Sequence, residues 1–356
     1  MCDFEIAHPR DLSEFLPTGK TLAVQRNPTR ARRGMSGRKI AVLDLAPASE
    51  EFREQFIAGL AQKPRTLPSK FFYDEHGAAL FLKICELPEY YITRTEMQIL
   101  RDSGPEIGDT LGRKIELIGL GTGAGTKTRI LLENLDSPVA YIPVDISKEQ
   151  LTQSTAAFSQ TFPTLEILPV CTDYLQPFEL PTPIRVPSRK IVYFPGSTIG
   201  NLEPDAALNF LRKIKAMAHP TGGGLLIGVD LKKSKTILER AYNDSSGVTA
   251  AFNLNLLARA NRELDADFDL EQWRHRAVYN EKAGRIEMHL ISRTNQSVGV
   301  GGHTFTFARH EHIISEFSYK YSPEEMIALA NRAGLRFEKV WTDRKRLFGV
   351  FLSSLK

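Results

Sequence analysis

Glu116-Leu-Ile-Gly-Leu-Gly-Thr-Gly-Ala-Gly-Thr-Lys127, followed by Tyr141-Ile-Pro-Val-Asp145, is the most informative segment of this 356-residue chain. An apolar run that reads as a buried strand empties into alternating glycines and then a helix. A second apolar run ends on a carboxylate about 20 residues beyond the loop, the layout of a site for a nucleoside-bearing cofactor. Gly119, Gly121, Gly123 and Gly125 allow positive φ and close approach of the backbone to a ligand. Asp145, at the tip of the second strand, can accept hydrogen bonds from two ribose hydroxyls. The glycines alone are a weak signal, and the acid is what makes it specific.

Outward from this segment, strands and helices alternate. Strands are expected at Ile115–Leu120, Ala140–Asp145, Glu166–Cys171, Ile191–Phe194 and Gly224–Asp230, with helices at Lys127–Leu135, Lys148–Thr161 and Pro204–Ala218. Such units specify a parallel sheet covered on both faces, with ligands at the carboxyl ends of the strands. Those ends carry Gly121–Gly125, Asp145, Asp173, Gly196–Asn201 and Asp230. Residues 232–320 break the pattern with a long helical stretch, Lys235–Leu264, and alternating segments at Arg285–Ser292 and Phe305–Phe317. A helix at Pro323–Ala333 and a strand pair, Arg336–Thr342 with Leu347–Ser353, complete the chain.

An α/β, mostly parallel sheet closed by a C-terminal antiparallel hairpin suggests a class I, Rossmann-like methyltransferase domain, here residues 94–231 with 321–356. Residues 41–93 with 232–320 are expected to form a smaller α+β substrate-binding domain over its ligand edge. The first of these spans hold two helices, 49–60 and Ala78–Leu87, and two aromatic clusters, Lys70-Phe-Phe-Tyr-Asp74 and Leu87-Pro-Glu-Tyr-Tyr-Ile-Thr-Arg-Thr-Glu96. Tyrosines bracketed by Pro, Asp and Arg are expected in loops, ring packed and hydroxyl free for a ligand.

A second acid, Asp173, ends the third strand in Val-Cys-Thr-Asp-Tyr174. Two acids at successive strand ends favour S-adenosylmethionine, with Asp145 on the ribose and Asp173 on the adenine amine, over NAD. Lys127 at the start of the first helix adds a cation to the amide dipoles for the cofactor's carboxylate.

Composition narrows the class further. No run approaches the 18 apolar residues of a membrane span, and the N-terminus lacks the apolar core of a secretory signal, so a cytoplasmic protein is expected. Residues 1–40 carry 8 Lys/Arg against 4 Asp/Glu, which accounts for the whole net charge of +4. That segment reads as a disordered basic tail on a neutral body, so neither nucleic acid nor membrane is an expected partner. A monomer acting on a small molecule is expected. The 3 cysteines share no metal-ligand spacing, and His310-Glu311-His312 reads as a solvated strand face, so no metal is expected.

Five longer motifs carry a family resemblance. Leu67-Pro-Ser-Lys-Phe-Phe-Tyr-Asp74, Leu87 to Glu96, Phe194-Pro-Gly-Ser-Thr-Ile-Gly-Asn201, Ala241-Tyr-Asn-Asp-Ser-Ser-Gly-Val-Thr249 and Ser315-Glu-Phe-Ser-Tyr-Lys-Tyr321 resemble the histidine-specific Nα-methyltransferases of ergothioneine biosynthesis. The resemblance implies trimethylation of the α-amine of L-histidine, with S-adenosylmethionine, to hercynine. It places Tyr73, Asn201 and Tyr242 on the amino acid's amine and carboxylate, with the Gly196 backbone nearby. Tyr90, Glu316 and Ser318 would read the imidazole, and Met288 would line its pocket. Gly121, Thr122, Gly123, Lys127, Asp145, Asp173 and Tyr174 fall in cofactor positions. No residue is called on as covalent nucleophile. The competing readings are methylation of another amino acid, such as tryptophan, and an inactive cofactor-binding scaffold.

The basic segment lies outside the resemblance. A chain starting at Lys39 is therefore expected to fold and turn over as the full-length protein does; a soluble truncated protein with a large loss of activity would contradict this.

Overall fold

Ile115–Leu120 and Ala140–Asp145 are buried at every position, so both are central strands covered on both faces. The computed structural model describes residues 42–45, 49–219 and 222–355, which leaves the basic segment outside the described residues. In chain order the strands are β1 (Leu43–Asp44), β2 (Ile115–Leu120), β3 (Ala140–Asp145), β4 (Glu166–Ile167), β5 (Val170–Cys171), β6 (Arg189–Phe194) and β7 (Gly224–Asp230). They continue with β8 (Trp273–Asn280), β9 (Arg285–Ser292), β10 (Gln296–Val300), β11 (His303–Phe307), β12 (His312–Tyr319), β13 (Leu335–Thr342) and β14 (Phe348–Leu355). The helices are α1 (Ser49–Ala61), α2 (Glu75–Glu86), α3 (Tyr91–Asp102), α4 (Gly104–Leu111), α5 (Thr126–Leu132), α6 (Lys148–Thr161), α7 (Pro204–Ala218), α8 (Lys235–Tyr242), α9 (Val248–Glu263) and α10 (Pro323–Arg332).

The main sheet runs β1-β5-β3-β2-β6-β7-β14-β13, with β4 beside β3. Pairing is parallel up to β7 and antiparallel at β7–β14 and β14–β13. This is the class I methyltransferase plan expected from the sequence. The chain leaves β2 outward through β3 and β5 and returns to β6 on the other side of β2. Ligands bind at such a reversal, at the carboxyl ends of the strands.

Alternate residues of each central strand feed two cores. Ile115, Leu117, Tyr141 and Tyr193 join the side covered by α3, α4 and α5. Ile118, Leu120, Ile142, Val144 and Phe194 join the side covered by α7 and α10. The first core runs on without a break into Phe52, Phe72, Phe252, Trp273 and Met288, so residues before β2 and from α8 to β12 share apolar packing with one sheet face. These residues build the three-stranded sheet β12-β9-β8 and the hairpin β10-β11.

Several sequence expectations need correction. Glu166–Cys171 is two short strands, with Pro169 in the gap because it has no N–H for the ladder. The stretch Lys235–Leu264 is two helices, α8 and α9. Asp244 takes the N–H groups of Val248 (2.9 Å) and Thr249 (2.8 Å), and Gly247 turns the chain at φ +72°. Phe305–Phe317 is likewise broken, by a turn in which His310 has φ +71°. Trp273–Asn280 and Gln296–Val300, not named among the expected strands, are β8 and β10. The Leu87–Glu96 cluster is also not all loop: from Tyr91 it is helix α3, burying Tyr91, Ile92, Glu96, Ile99 and Leu100.

Candidate active site

At the end of β2, Gly121, Gly123 and Gly125 have φ of +61°, +51° and +75°. Gly119 remains in the strand at ordinary φ and is needed for space, because a Cβ there would lie 2.6 Å from Thr122 Cγ2. The Tyr174 ring lies against Gly121, with Cε1 3.3 Å from where a Cβ would stand. Asp145 is buried, with Oδ2 accepting from Gly123 N–H (2.9 Å) and Oδ1 from Ser147 N–H (3.0 Å). Burial nevertheless holds its carboxyl above the ordinary range, against the pull of the backbone hydrogen bonds. A buried carboxylate with a lone pair left on each oxygen, beside a loop open to a backbone approach, suits a ribose diol. The residues present thus fit S-adenosylmethionine.

Two other cofactor candidates have protein partners that the sequence did not reveal. Asp173 is at the end of β5 as expected, but Lys70 donates to it (3.0 Å) and to Glu51 (2.6 Å), while Leu175 N–H takes its other oxygen (2.9 Å). Lys127 pairs at 2.7 Å with Glu96, a carboxylate with no exposed surface. Glu96 also accepts from Gly196 N–H (2.9 Å) and Tyr193 O–H (3.3 Å). It packs so closely on Gly228 that a Cβ there would sit 2.5 Å from Oε1. Through Glu96, helix α3 holds the first residues of the cofactor helix and the turn at Gly196, whose φ is +78°.

The other wall comes from β12 and β9. A bulge between Ile314 and Glu316 shifts the register, so that Glu316 stands opposite Met288 and Ser318 opposite Ile286. Bulges re-aim side chains in this way. Beyond it, Glu316, Ser318 and Lys320 fall on one face of the strand, and Phe317 and Tyr319 on the other, where Arg285 lies over both rings. Met288 and Ser318 are buried, as are Tyr90, with its ring 6.1 Å from that of Tyr242, and Tyr242 itself. Asn201 Nδ2 reaches Ser69 Oγ at 3.5 Å, which sets it beside the turn carrying Tyr73.

Tyr73, Tyr90 and Tyr242 all lie within electrostatic reach of Glu316, and Tyr73 also within reach of Asp145 at the end of β3. Burial pushes the phenols of Tyr73 and Tyr90 well above their ordinary value, with neighbouring charges adding to it, so both stay neutral. Among the described residues, no group hydrogen-bonds the Glu316 carboxylate. Burial lifts its pKa to about 7, and the Lys320 ammonium opposes this only in part.

Lys320 is the residue that sequence reasoning passed over within a quoted motif. It is buried, and its Nζ bonds Asp230 Oδ2 (2.8 Å), Tyr242 O–H (3.0 Å) and Ser318 Oγ (2.7 Å). Its signal was the strand period, which puts it in line with Glu316 and Ser318. The His310–His312 triplet is not one strand face: His310 is exposed in a turn at φ +71°, β12 begins only at His312, Glu311 accepts from Lys63 and Arg65, and the His312 ring stacks on His289 at 4.2 Å. Among the described residues, no group of His, Cys, Asp and Glu is placed to hold a metal ion.

Two outcomes follow from these geometries. Glu96→Gln breaks a buried ion pair and is expected to lower unfolding stability by about 3–5 kcal/mol in urea titrations, where a change below about 0.5 kcal/mol would remove its structural role. Glu316 has a folded-state pKa raised from 4.5 to about 7, so its contribution is fully present below 4.5 and is lost as pH rises through 7. In ligand-free protein, Glu316→Gln should therefore raise stability by on the order of 1–3 kcal/mol at pH 8 and leave it nearly unchanged at pH 4.5. Equal effects at both pH values would contradict the burial of that charge.

Comparison with known proteins identifies the family. The family model described as histidine-specific methyltransferase, SAM-dependent, matches residues 52–355. The chain is 42% identical over 313 residues to a histidine N-alpha-methyltransferase of Mycolicibacterium smegmatis, covering 86% of this chain and 95% of that one. A histidine N-alpha-methyltransferase of Mycobacterium tuberculosis is 39% identical, over 85% of this chain and 94% of its own. A 4-dimethylallyltryptophan N-methyltransferase of Arthroderma benhamiae is 29% identical, over 82% and 90%. With a match that spans nearly all the described residues, the chain belongs to the histidine-specific, S-adenosylmethionine-dependent methyltransferase family.

Proposed function

We propose that this protein is a cytoplasmic enzyme that trimethylates the α-amine of L-histidine to hercynine, a step of ergothioneine biosynthesis. The observation that carries the substrate is Glu316: a carboxylate without a hydrogen-bond partner among the described residues, opposite Met288, two residues from Ser318 and within electrostatic reach of Tyr73, Tyr90 and Tyr242. An imidazole N–H satisfies it, whereas an aliphatic side chain leaves it buried and unpaired, which excludes such amino acids by penalty. On this reading residues 41–93 with 232–320 supply the substrate wall, and residues 94–231 with 321–356 the cofactor edge.

S-adenosylmethionine, when bound, supplies a methyl group on a sulfonium that is already a good leaving group. What the chain must do is bind, orient and exclude water; correct placement of reacting groups can lower a barrier by up to about 7–11 kcal/mol. Asp145 is assigned the ribose hydroxyls, Gly121, Thr122 and Gly123 the close backbone approach, Tyr174 and Asp173 the adenine, and Lys127 the cofactor's carboxylate. Tyr73, Asn201 and Tyr242 are assigned the amino acid's amine and carboxylate. The amine attacks only when neutral. A neutral phenol at Tyr73 and the Asn201 amide can hold it without a carboxylate that would favour the ammonium form. The reaction needs neither nucleic acid nor membrane, and among the described residues no helix is long and apolar enough to cross one.

Mass spectrometry after incubation with S-adenosylmethionine and each of the twenty amino acids tests the reading. A product heavier by three methyl groups is expected from histidine, and preferential methylation of another amino acid would overturn it. Glu316→Ala should lower kcat/KM for histidine by roughly 10²-fold, as for a lost charge-assisted hydrogen bond, while calorimetric affinity for S-adenosylmethionine barely moves. Absence of cofactor binding by the unaltered protein would instead favour an inactive scaffold.

A further inference from the structure

Lys320 is an ammonium with no exposed side-chain surface, set between the main sheet and the substrate wall. It has three donors and no acceptor, and all three are used, on Asp230, Tyr242 and Ser318. Both hydroxyl oxygens therefore receive a hydrogen from Lys320. They also lie 2.9 Å from each other, so one of the two hydroxyl hydrogens spans that gap. The other has no acceptor among the described residues. A phenol is the more acidic hydroxyl and hence the better donor, which directs Tyr242 O–H toward Ser318. Ser318 Oγ then accepts twice, and its own O–H must point away from both.

We propose that Lys320 is a positioning residue: it fixes the direction of this relay, so that Ser318 offers a hydrogen-bond donor to the lone-pair nitrogen of a neutral imidazole while Glu316 takes the ring N–H. The proposal rests on the reading of Glu316 and Ser318 as the ring's partners. It adds the sense of each hydrogen bond and the group that imposes it. An indole has the N–H but no acceptor nitrogen, and an imidazolium has two N–H groups and no acceptor. Either would turn a hydrogen toward the Ser318 hydrogen instead of a lone pair. Without Lys320 the Ser318 hydroxyl can rotate to accept, and the discrimination goes. Asp230 keeps the ammonium charged: burial works against the charge, and the carboxylate more than offsets it.

The test compares histidine with alanine derivatives bearing a 2- or 3-pyrrolyl ring, which keep an N–H and replace the acceptor nitrogen by CH. The unaltered enzyme is expected to prefer histidine by roughly 10²-fold in kcat/KM, the usual consequence of leaving a buried donor unpaired. Lys320→Met should cut that ratio to below about 5-fold, and Ser318→Ala should do the same, with the double variant no lower than either. Asp230 retains Lys233 and Tyr91 in Lys320→Met, so the substitution leaves no bare carboxylate. Should that variant not fold, Lys320→Gln, which keeps a donor without the charge, is expected to give an intermediate ratio. A purely structural role for Lys320 would lower both substrates alike and leave the ratio at its full value, which overturns the proposal. Equal use of histidine and the pyrroles by the unaltered enzyme would remove Ser318 from ring recognition and the underlying reading with it.

Discussion

Asp230 has no exposed surface, yet the chain leaving β12 is tied to it through Lys320. Its carboxylate receives Tyr91 O–H (2.8 and 3.0 Å), Lys233 Nζ (2.5 Å) and Lys320 Nζ (2.8 Å), and its N–H donates to Ser197 Oγ (2.9 Å). Lys232 N–H meets Tyr321 O at 3.0 Å alongside, where the chain leaving β12 touches the chain leaving β7. Burial alone would push this acid to protonate; Lys320 and Lys233 reverse that and hold its carboxyl below the ordinary range. Buried ion pairs add little net stability compared with apolar packing, but removing one partner is costly. The effect here is geometric, since the end of β12 has one satisfied position relative to β7.

Helix α3 transmits that constraint to the cofactor edge. Tyr91 at its start is bound to Asp230, and Glu96, five residues on, is bound to Lys127, Gly196 and Tyr193. One helix therefore fixes the Asp230–Lys320 pair, the turn at Gly196 and the first turn of α5 against each other. Methyl transfer between two separately bound small molecules depends on such mutual placement more than on any acid or base. Gly228 and Gly196 serve the same contact by leaving room for Glu96 and Lys127.

The main sheet was legible because its central strands β2, β3 and β7 are mostly apolar and buried and lead into Gly or end on Asp, signals that local chemistry alone imposes. The glycine loop, Asp145 and the antiparallel closing hairpin were likewise readable. Helix α3 was not, because Tyr90, Tyr91, Pro88 and Arg94 look like loop chemistry until the Arg94 guanidinium is seen bonding the Leu87 and Tyr90 carbonyls ahead of the helix. The bulge at Ser315 was invisible too: it depends on Ser315 Oγ bonding Asn253 (2.6 Å) and Met288 O (3.0 Å), partners 62 and 27 residues away. The partners of Lys127 and Asp173 escaped for the same reason, since long-range ion pairs leave no periodicity in a sequence.

The polar groups of the site divide by what bonds them. Asp230, Lys320 and Glu96 are satisfied within the protein, so they form scaffold even though each is charged. Glu316 carries no such partner, and the fold tolerates it by raising its pKa to about 7, which keeps a large share protonated near neutrality. A ring N–H delivered to that oxygen stabilises the ionised form and relieves the burial at the same moment. On the proposed assignment, the selectivity of the site comes from a deficit left in the fold: an apolar ring finds the carboxylate as costly as the empty protein does, while an imidazole is the group that removes the cost.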